Sequence, residues 1–314
     1  MMRAAVIDTC GLPPLVSERP EPATGPGEVR VHVTAASITP LDLLCASGTS
    51  YFGAPATPYV PGVQGVGVLD DGTPVWFATS AGMRPGDGSM AEWAVAAHGD
   101  IVPLPEGVDH RLVAALGLSA VAALMALTWR GDLRAGEQVL VLGGGGVVGQ
   151  AAIQLARLHG ASRVVAECRS DAAQRRAERA GASAVVRLDE PCFDERLAEQ
   201  GPIDLVVDPV FGAPAVSAMH VLRPGGRLVN LGSSAGESAP FDSATLRGKH
   251  LSLLGYTNTE LTKEQRADAV AVIAEHVRGG RLTLDYETVA FADIADAWTR
   301  QATGKADRRL VVVL

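Results

Sequence analysis

Cysteine and aromatic residues are scarce in this sequence. Only four of its 314 residues are cysteines, and aromatic residues make up 4%. The cysteines are scattered and form no C-x-x-C pair, which argues against both a disulfide framework and a structural zinc site. No block of basic residues occurs, and the formal net charge is −8. That charge argues against nucleic acid or an anionic membrane as the main partner.

Signals for secretion or membrane insertion are also missing. We find no signal-peptide pattern and no run of about 18 apolar residues, so we expect a cytoplasmic protein without a membrane partner. What the sequence does contain is apolar residues, 47% of the total, together with 35 glycines. A chain of this length and composition is long for one ordinary domain and sufficient for two.

The most informative stretch of the chain runs from Glu137 to Gly181. A β-branched apolar run ends in four glycines at 143–146, an amphipathic segment follows to His159, and a second apolar run begins at Arg163. This order of strand, glycine turn, helix and strand is typical of a dinucleotide-binding βαβ unit. The alternative is a glycine-rich turn with a purely structural role.

The glycines of this turn match the pattern G-x-G-x-x-G. We expect Gly144 to permit the tight turn, Gly146 to let the backbone approach a pyrophosphate, and Gly149 to let the helix pack closely. The N-terminus of the helix would offer its free N–H groups to the phosphates. The predicted cofactor contacts at this turn are Gly144, Gly145, Gly146, Val147, Val148 and Gly149.

The end of the second strand indicates which nucleotide binds. NAD sites usually carry an acidic residue about 20 residues after the glycines, to hold the ribose 2′-hydroxyl. We assign that position to Cys168, and strand alternation then directs Glu167 to the other side. Arg169 and Ser170 follow, and they are suited to a 2′-phosphate. The sequence therefore favours NADPH, although a shift of one residue would bring in Glu167 and favour NADH.

The pattern of the chain changes near residue 109. Before it, short strands alternate with glycine and proline turns, which is typical of a β-rich, barrel-like domain. After it, strands alternate with helices, which predicts an α/β fold with a parallel, doubly wound Rossmann sheet. We expect the tail to return to the first domain. The expected domains are residues 1–117 with 257–314, and residues 118–256.

Five segments together carry a resemblance to a known family: Thr39-Pro40-Leu41-Asp42, Pro58-Tyr59-Val60-Pro61-Gly62, Gly136 to Ala161, Asp204 to Gly212, and Arg223-Pro224-Gly225-Gly226. The chain resembles the medium-chain dehydrogenase/reductase superfamily, in its zinc-free quinone oxidoreductase (zeta-crystallin-like) branch. The resemblance covers nearly the full length. It implies a GroES-like catalytic domain, a Rossmann cofactor domain, and a cleft between them where nicotinamide meets substrate.

Departures from the pattern of zinc-dependent relatives carry their own implication. Those relatives have cysteine where this sequence has Thr39, and His-Glu where it has Val63 and Gln64. Because valine offers no ligand atom, we expect no metal at this site. A lysine common in the family at the following charged helix is Ala173 here, which leaves phosphate binding to Arg169, with Arg175 as a second candidate.

The resemblance also implies roles for residues near the reaction. Hydride from NADPH reaches an electron-poor carbon, and the resulting oxyanion needs a donor. Tyr51 either donates its hydroxyl or lines the cleft by packing alone. Thr39 is expected to bond the substrate, the cofactor amide or the ribose, and Ser119 either reaches the nicotinamide or caps a helix. The end of the fifth strand should line the dinucleotide groove through Asn230, Leu231 and Gly232.

These observations favour a zinc-independent, NADPH-dependent oxidoreductase that reduces a small electrophile, either a quinone or an α,β-unsaturated carbonyl. One alternative is an enoyl reductase that acts on a CoA- or carrier-bound intermediate. Another is a protein that binds NADPH without turnover. From the family we also expect a homodimer that pairs through the sheet edge at Leu251 to Gly255.

Overall fold

The computed structural model describes residues 1–314. The strands are β1 (Met2–Val6), β2 (Leu15–Arg19), β3 (Glu28–Ser37), β4 (Gln64–Val68), β5 (Pro74–Ala78), β6 (Trp93–Ala97), β7 (Ile101–Pro103), β8 (Gln138–Val141), β9 (Arg163–Cys168), β10 (Ala184–Arg187), β11 (Ile203–Asp208), β12 (Leu222–Asn230), β13 (Ser252–Gly255), β14 (Tyr286–Ala290) and β15 (Arg309–Val313). The α-helices are α1 (Pro40–Ala46), α2 (His110–Met125), α3 (Val147–Leu158), α4 (Asp171–Arg179), α5 (Phe193–Ala198), α6 (Gly212–Val221), α7 (Ser243–Gly248), α8 (Lys263–Arg278) and α9 (Ile294–Ala302).

The chain divides into two compact units. The first contains Met1–Gly117, Lys263–Gly280 and Leu284–Leu314, and the second contains Leu118–Thr262 and Arg281–Thr283. The sequence prediction placed the second boundary after residue 256, which is too early. The side-chain amide of Asn258 donates to the carbonyl of Leu118 at 3.2 Å, so the turn after β13 stays with the second unit.

The second unit contains a six-stranded sheet in which every neighbouring pair is parallel. The strand order is β10-β9-β8-β11-β12-β13. Its central strands are fully buried, with Leu140, Val165 and Val206 at 0% exposure, as expected for a parallel sheet covered on both faces. The order changes direction between β8 and β11, which is where a doubly wound sheet opens a crevice at its carboxyl edge. The predicted Rossmann sheet is confirmed.

The first unit contains a mixed sheet of seven strands and a two-stranded hairpin. The long strand β3 pairs with β4, β6 and β15, all antiparallel, and only β14 and β15 run parallel. The C-terminal segments return to this unit, where Arg266 of α8 forms an ion pair with Asp100 at 2.8 Å. The predicted combination of a doubly wound domain with a separate β-rich domain is therefore confirmed.

One helical stretch requires a correction. The segment His110–Arg130, which is α2 and a π-helical turn after it, is long and apolar enough to cross a membrane by length and composition alone. No such run was expected from the sequence. Of the most apolar window, 72% is buried inside the protein, and core helices of globular proteins pass the same test. The stretch also bends at Gly117, whose φ of 36° is not helical.

Candidate functional site

The glycine turn joins β8 to α3 at the carboxyl edge of the parallel sheet. Gly143 has φ +61°, in the left-handed region, and its carbonyl accepts from the N–H of Gly146 at 2.9 Å. The sequence pattern assigned the tight turn to Gly144, which is wrong, because Gly143 is the residue that needs the glycine conformation. Gly143 also faces the next turn, since a Cβ on it would lie 2.8 Å from Val210.

The other glycines are required by close packing. A Cβ on Gly149 would overlap the carbonyl oxygen of Gly143, so the close helix packing predicted for Gly149 is present. A Cβ on Gly144 would lie 2.7 Å from the Cβ of Ala166, and one on Gly145 would overlap Ala173 of α4. The glycine at 145 therefore lets α4 approach the turn at Ala173.

Gly146 is the exposed member of the turn and the N-cap of α3. As a glycine it has no side chain to cap the helix, so the first N–H groups of α3 have no side-chain partner at this end. The first turn also carries no acidic residue. Val147 and Val148, the first two residues of α3, are half-buried. An uncapped N-terminus of this kind suits an anion, through N–H donors and the helix dipole.

The end of β9 lies directly under this turn. Glu167 is 2% exposed; its Oε2 accepts from the N–H of Gly143 at 2.8 Å, and its carbonyl accepts from the N–H of Gly144 at 2.8 Å. Strand alternation directed Glu167 to the other side from Cys168, and its carboxyl is buried against the glycine turn. Cys168 is buried, while Arg169 and Ser170 are exposed.

Electrostatics at this edge is dominated by buried acids. Burial raises the pKa of Glu167, and Asp208 raises it further, against the effect of the Gly143 N–H and Arg169. Burial likewise raises the pKa of the Cys168 thiol to about 12. Arg176 of α4 donates its Nε to the carbonyl of Gly145 at 2.9 Å. This guanidinium therefore braces the turn from α4.

The ends of β11 and β12 are joined by side chains. Asp208 accepts from the N–H groups of Val210 at 3.0 Å and Phe211 at 2.7 Å, so its role in forming the turn is established. The amide of Asn230 donates to Asp208 Oδ2 at 3.2 Å and to the carbonyl of Gly232 at 2.8 Å. Leu231, Gly232 and Asn230 thus lie at the carboxyl edge of β12, next to the strand that borders the crevice.

The first unit contains the other predicted residues. Thr39 is the N-cap of α1 and is 6% exposed. Its hydroxyl donates to Asp42 Oδ2 at 2.5 Å and accepts from the N–H of Asp42 at 3.2 Å, and Asp42 also accepts from the N–H groups of Thr39 at 2.8 Å and Val63 at 2.9 Å. This capping box uses the hydroxyl that was expected to contact substrate or cofactor.

Asp42 is fully buried, as is Arg309 beside it. Burial raises the pKa of Asp42, while its three donors and Arg309 oppose that rise. Burial lowers the pKa of Arg309 to about 10, and Asp42 opposes the fall. Arg309 also donates to the carbonyl of Ile38 at 2.9 Å, so the two side chains fix the start of α1 to β15.

Tyr51 and Ser119 are placed differently from Thr39. Tyr51 follows α1 in a loop and is 77% exposed, with its ring 4.2 Å from that of Phe52. Ser119 is half-buried in α2, two positions beyond the bend at Gly117. Of the two residues predicted to take part in the reaction, Tyr51 and Thr39, only Tyr51 thus presents its hydroxyl to solvent.

The positions that hold zinc in zinc-dependent relatives form a hydrogen-bonded core here. Val63 has no ligand atom. The Gln64 amide donates to Ser37 Oγ at 3.1 Å and accepts from Trp76 Nε1 at 3.3 Å. No group of three or more His, Cys, Asp or Glu side chains is arranged to hold a metal ion.

Three residues of these sites were not predicted from the sequence. Asp42 carried a local signal, since T-x-x-D is a capping-box pattern. Glu167 was one position from the assigned acid. Arg176 carried no local signal, because its contact with Gly145 spans 31 residues.

Together, an uncapped helix behind a glycine turn and a crevice at the strand reversal define a nucleotide-binding α/β protein. A family model described as "Zinc-binding dehydrogenase" matches residues 147–292. Quinone oxidoreductase-like protein 2 of Bos taurus is 33% identical over 251 residues, covering 77% of this chain and 71% of the relative.

Two solved structures resemble the whole chain. One is the quinone oxidoreductase from Thermus thermophilus, solved also in complex with NADPH, with a TM-score of 0.83 and 29% identity over 100% of both chains. The other is an NAD-dependent alcohol dehydrogenase, with a TM-score of 0.85 and 26% identity over 100% of both chains. The chain belongs to the medium-chain dehydrogenase/reductase superfamily, in its quinone oxidoreductase branch, and is an oxidoreductase that uses a nucleotide cofactor.

Proposed function

We propose that the protein is a zinc-independent, NADPH-dependent oxidoreductase that transfers hydride to a quinone or an α,β-unsaturated carbonyl. The observation that carries this proposal is the exposed Gly146 at the uncapped N-terminus of α3. The residues proposed to hold the dinucleotide are Gly144, Gly145, Gly146, Val147, Val148, Gly149, Ser119, Asn230, Leu231 and Gly232.

The choice of NADPH rests on the end of β9. The carboxyl of Glu167 is buried and accepts from the turn itself, so it is not presented outward to a ribose hydroxyl. Arg169 and Ser170 are exposed at the same end. Ser170 accepts from the N–H of Ala173 at 3.3 Å as the N-cap of α4, which leaves its hydroxyl proton for a 2′-phosphate beside the Arg169 guanidinium.

Zinc independence rests on the donor set. The Thr39 hydroxyl is committed to Asp42, Val63 has no donor atom, and the Gln64 amide is satisfied by neighbouring side chains. This set does not match the thiolate, imidazole and carboxylate ligands that zinc requires. No step of the proposed reaction passes through a metal.

The nicotinamide, when bound, supplies the hydride. The chain must then stabilise negative charge on the substrate oxygen and deliver a proton. Tyr51 has the exposed hydroxyl suited to that donation. Thr39 remains a proposed contact of the same site, restricted to accepting a hydrogen bond because its proton goes to Asp42.

The outer edge of the parallel sheet offers a surface for assembly. The strand β13 is the outer strand of the parallel sheet, and its Leu253 is 39% exposed. An apolar outer strand pairs readily with a second copy across a two-fold axis, so we propose a homodimer. Light scattering that gives the mass of one chain would contradict the dimer.

The test is a screen of NADPH oxidation over small quinones and enones, with and without a metal chelator, beside a fluorescence titration of NADPH. We expect turnover of at least one electrophile and no effect of the chelator. Tight NADPH binding with no turnover of any electrophile would contradict the reductase in favour of a binding protein. Loss of turnover with chelator would contradict zinc independence.

A further inference from the structure

An acidic side chain lies beneath the glycine turn and takes no part in the chemistry above. Glu167 is held at both ends: its Oε2 accepts from Gly143 and its carbonyl from Gly144, each at 2.8 Å. Its side chain is almost entirely removed from water. The carboxyl therefore holds Gly143, the first residue of the turn, and the main-chain carbonyl of Glu167 holds Gly144.

The charged groups around Glu167 do not neutralise it. Asp208, from β11, is 0% exposed and adds like charge. Neither carboxyl forms an ion pair. Arg169, which follows β9, is exposed and attracts Glu167 weakly, while Arg176 of α4 directs its Nε to the carbonyl of Gly145. The neighbouring Cys168 is a neutral thiol, and the first turn of α3 carries no acidic residue.

A pyrophosphate bound on this turn would shift the protonation equilibrium of Glu167. Its negative charges would stand above a buried carboxyl, and like charges in a poorly screened site raise the proton affinity of the acid. A protonated carboxyl still has an oxygen free to accept from Gly143, so the turn keeps its support. The proton comes from solvent and resides on Oε1, because Oε2 is the acceptor.

We propose that Glu167 is a positioning residue of the cofactor site that supports the glycine turn as a neutral acid once the dinucleotide is bound, so that cofactor binding takes up a proton. This inference rests on the proposed cofactor site. Glutamate at this position thereby links cofactor affinity to pH without touching the reacting atoms.

The direction of the pH dependence follows from the sign of the shift. Bound phosphate raises the pKa of Glu167 above its value in the free protein, which burial already holds above the ordinary 4.5. The contribution of Glu167 to NADPH affinity is largest and flat below the free-state pKa. Between the free and bound values it falls by at most about tenfold per pH unit, since one proton is involved. Above the bound value it is flat again.

The experiment is calorimetric titration of NADPH in buffers of different ionisation enthalpy, over about pH 5.5 to 8.5. The dependence of the observed heat on buffer gives the protons taken up. The matched variant Glu167→Gln keeps the size and the acceptor oxygen but does not titrate. The 2′-phosphate, which itself titrates at about pH 6, contributes equally to both proteins.

We expect wild type to take up more protons on NADPH binding than Glu167→Gln does. The difference should approach one proton within the pH range of the titration. The variant should also bind NADPH more tightly than wild type at the alkaline end. Equal proton uptake in the two proteins would overturn the inference and leave the cofactor site intact. No NADPH binding by wild type would instead overturn the cofactor site itself.

A second variant covers the case in which Glu167→Gln does not fold. Asp208→Asn removes the neighbouring negative charge, so it lowers the pKa of Glu167 and moves proton uptake to lower pH. An unchanged uptake profile in Asp208→Asn would count against Glu167 as the group that titrates.

Discussion

The start of α1 and the start of α3 differ in whether the chain itself supplies hydrogen-bond partners for the first N–H groups of the helix. Both helices leave N–H groups unpaired at their first turn. At α1 the chain satisfies them itself, through the capping box of Thr39 and Asp42. At α3 the N-cap is Gly146, which has no side chain to offer. The closed terminus is a structural joint of the first unit, and the open one is available to a ligand.

This difference changes the roles expected of the predicted residues. Thr39 was expected at the reaction on the strength of family resemblance, yet its hydroxyl is part of the closed terminus. Gly146 was expected at the cofactor from its pattern alone, and it lies at the open one. A helix start that hydrogen-bonds to itself therefore argues for structure, and one that does not argues for a ligand.

The largest effect is expected on stability, when the capping box at the start of α1 is removed. Asp42→Ala removes three hydrogen bonds to the carboxylate and takes away the negative charge beside the buried Arg309 guanidinium. We expect a loss of about 3–5 kcal/mol in the free energy of unfolding, measured by denaturant titration. The control is Asp242→Ala, at the exposed N-cap of α7, where about 1 kcal/mol should be lost. Equal losses of unfolding free energy in the two variants would contradict the structural role assigned to the buried Asp42.

The second largest effect is expected from displacing the glycine turn at the start of α3. Gly149→Val puts side-chain atoms where the carbonyl of Gly143 lies, which displaces the turn. NADPH affinity should fall by about a hundredfold or more, with about 1–3 kcal/mol lost in stability from overpacking. Gly248→Ala, which has open space around it, should bind NADPH normally. Fluorescence titration and thermal unfolding report the two quantities, and normal binding by Gly149→Val would refute the assigned role.

An intermediate effect, on turnover, is expected when the hydroxyl of Tyr51 is removed. Tyr51→Phe removes the exposed hydroxyl and keeps the ring that stacks on Phe52. If the hydroxyl donates to the substrate, turnover falls by about a hundredfold while NADPH affinity stays the same. The matched control is Tyr256→Phe, which alters a hydroxyl bonded to Asn258 in the second unit. Unchanged turnover in Tyr51→Phe would reduce Tyr51 to a packing residue.

The smallest effect concerns cofactor choice. Arg169→Glu should weaken NADPH by about tenfold or more and NADH much less, because only NADPH carries the 2′-phosphate. Arg84→Glu, an exposed arginine of the first unit, makes the same charge change elsewhere. If NADPH and NADH lose affinity equally, Arg169 does not read the 2′-phosphate.

Local pattern predicted much of the fold. The order of β8, glycine turn, α3 and β9 came from apolar runs and glycine spacing, and the charged helix expected after β9 is α4, Asp171–Arg179. Short elements without a repeating apolar pattern were missed, among them the six-residue helices α5 and α7. The strand β2 was missed because all but one of its residues are exposed and it pairs only with β1.

The site was harder to predict than the fold. Which glycine adopts the left-handed conformation depends on how the turn meets Val210 and β9, and no spacing rule contains that contact. The contact of Glu167 with the N–H of Gly143 was missed because strand alternation fixes a face but not what folds over the end of the strand. The closed state of Thr39 was readable from T-x-x-D, but the family pattern outweighed it.

The most direct test compares the two helix starts within one protein by hydrogen–deuterium exchange, with and without NADPH. The account predicts that NADPH slows exchange in the peptide covering Gly143–Gly149 far more than in the peptide covering Thr39–Asp42. Protection at Thr39–Asp42 with none at the glycine turn would contradict it.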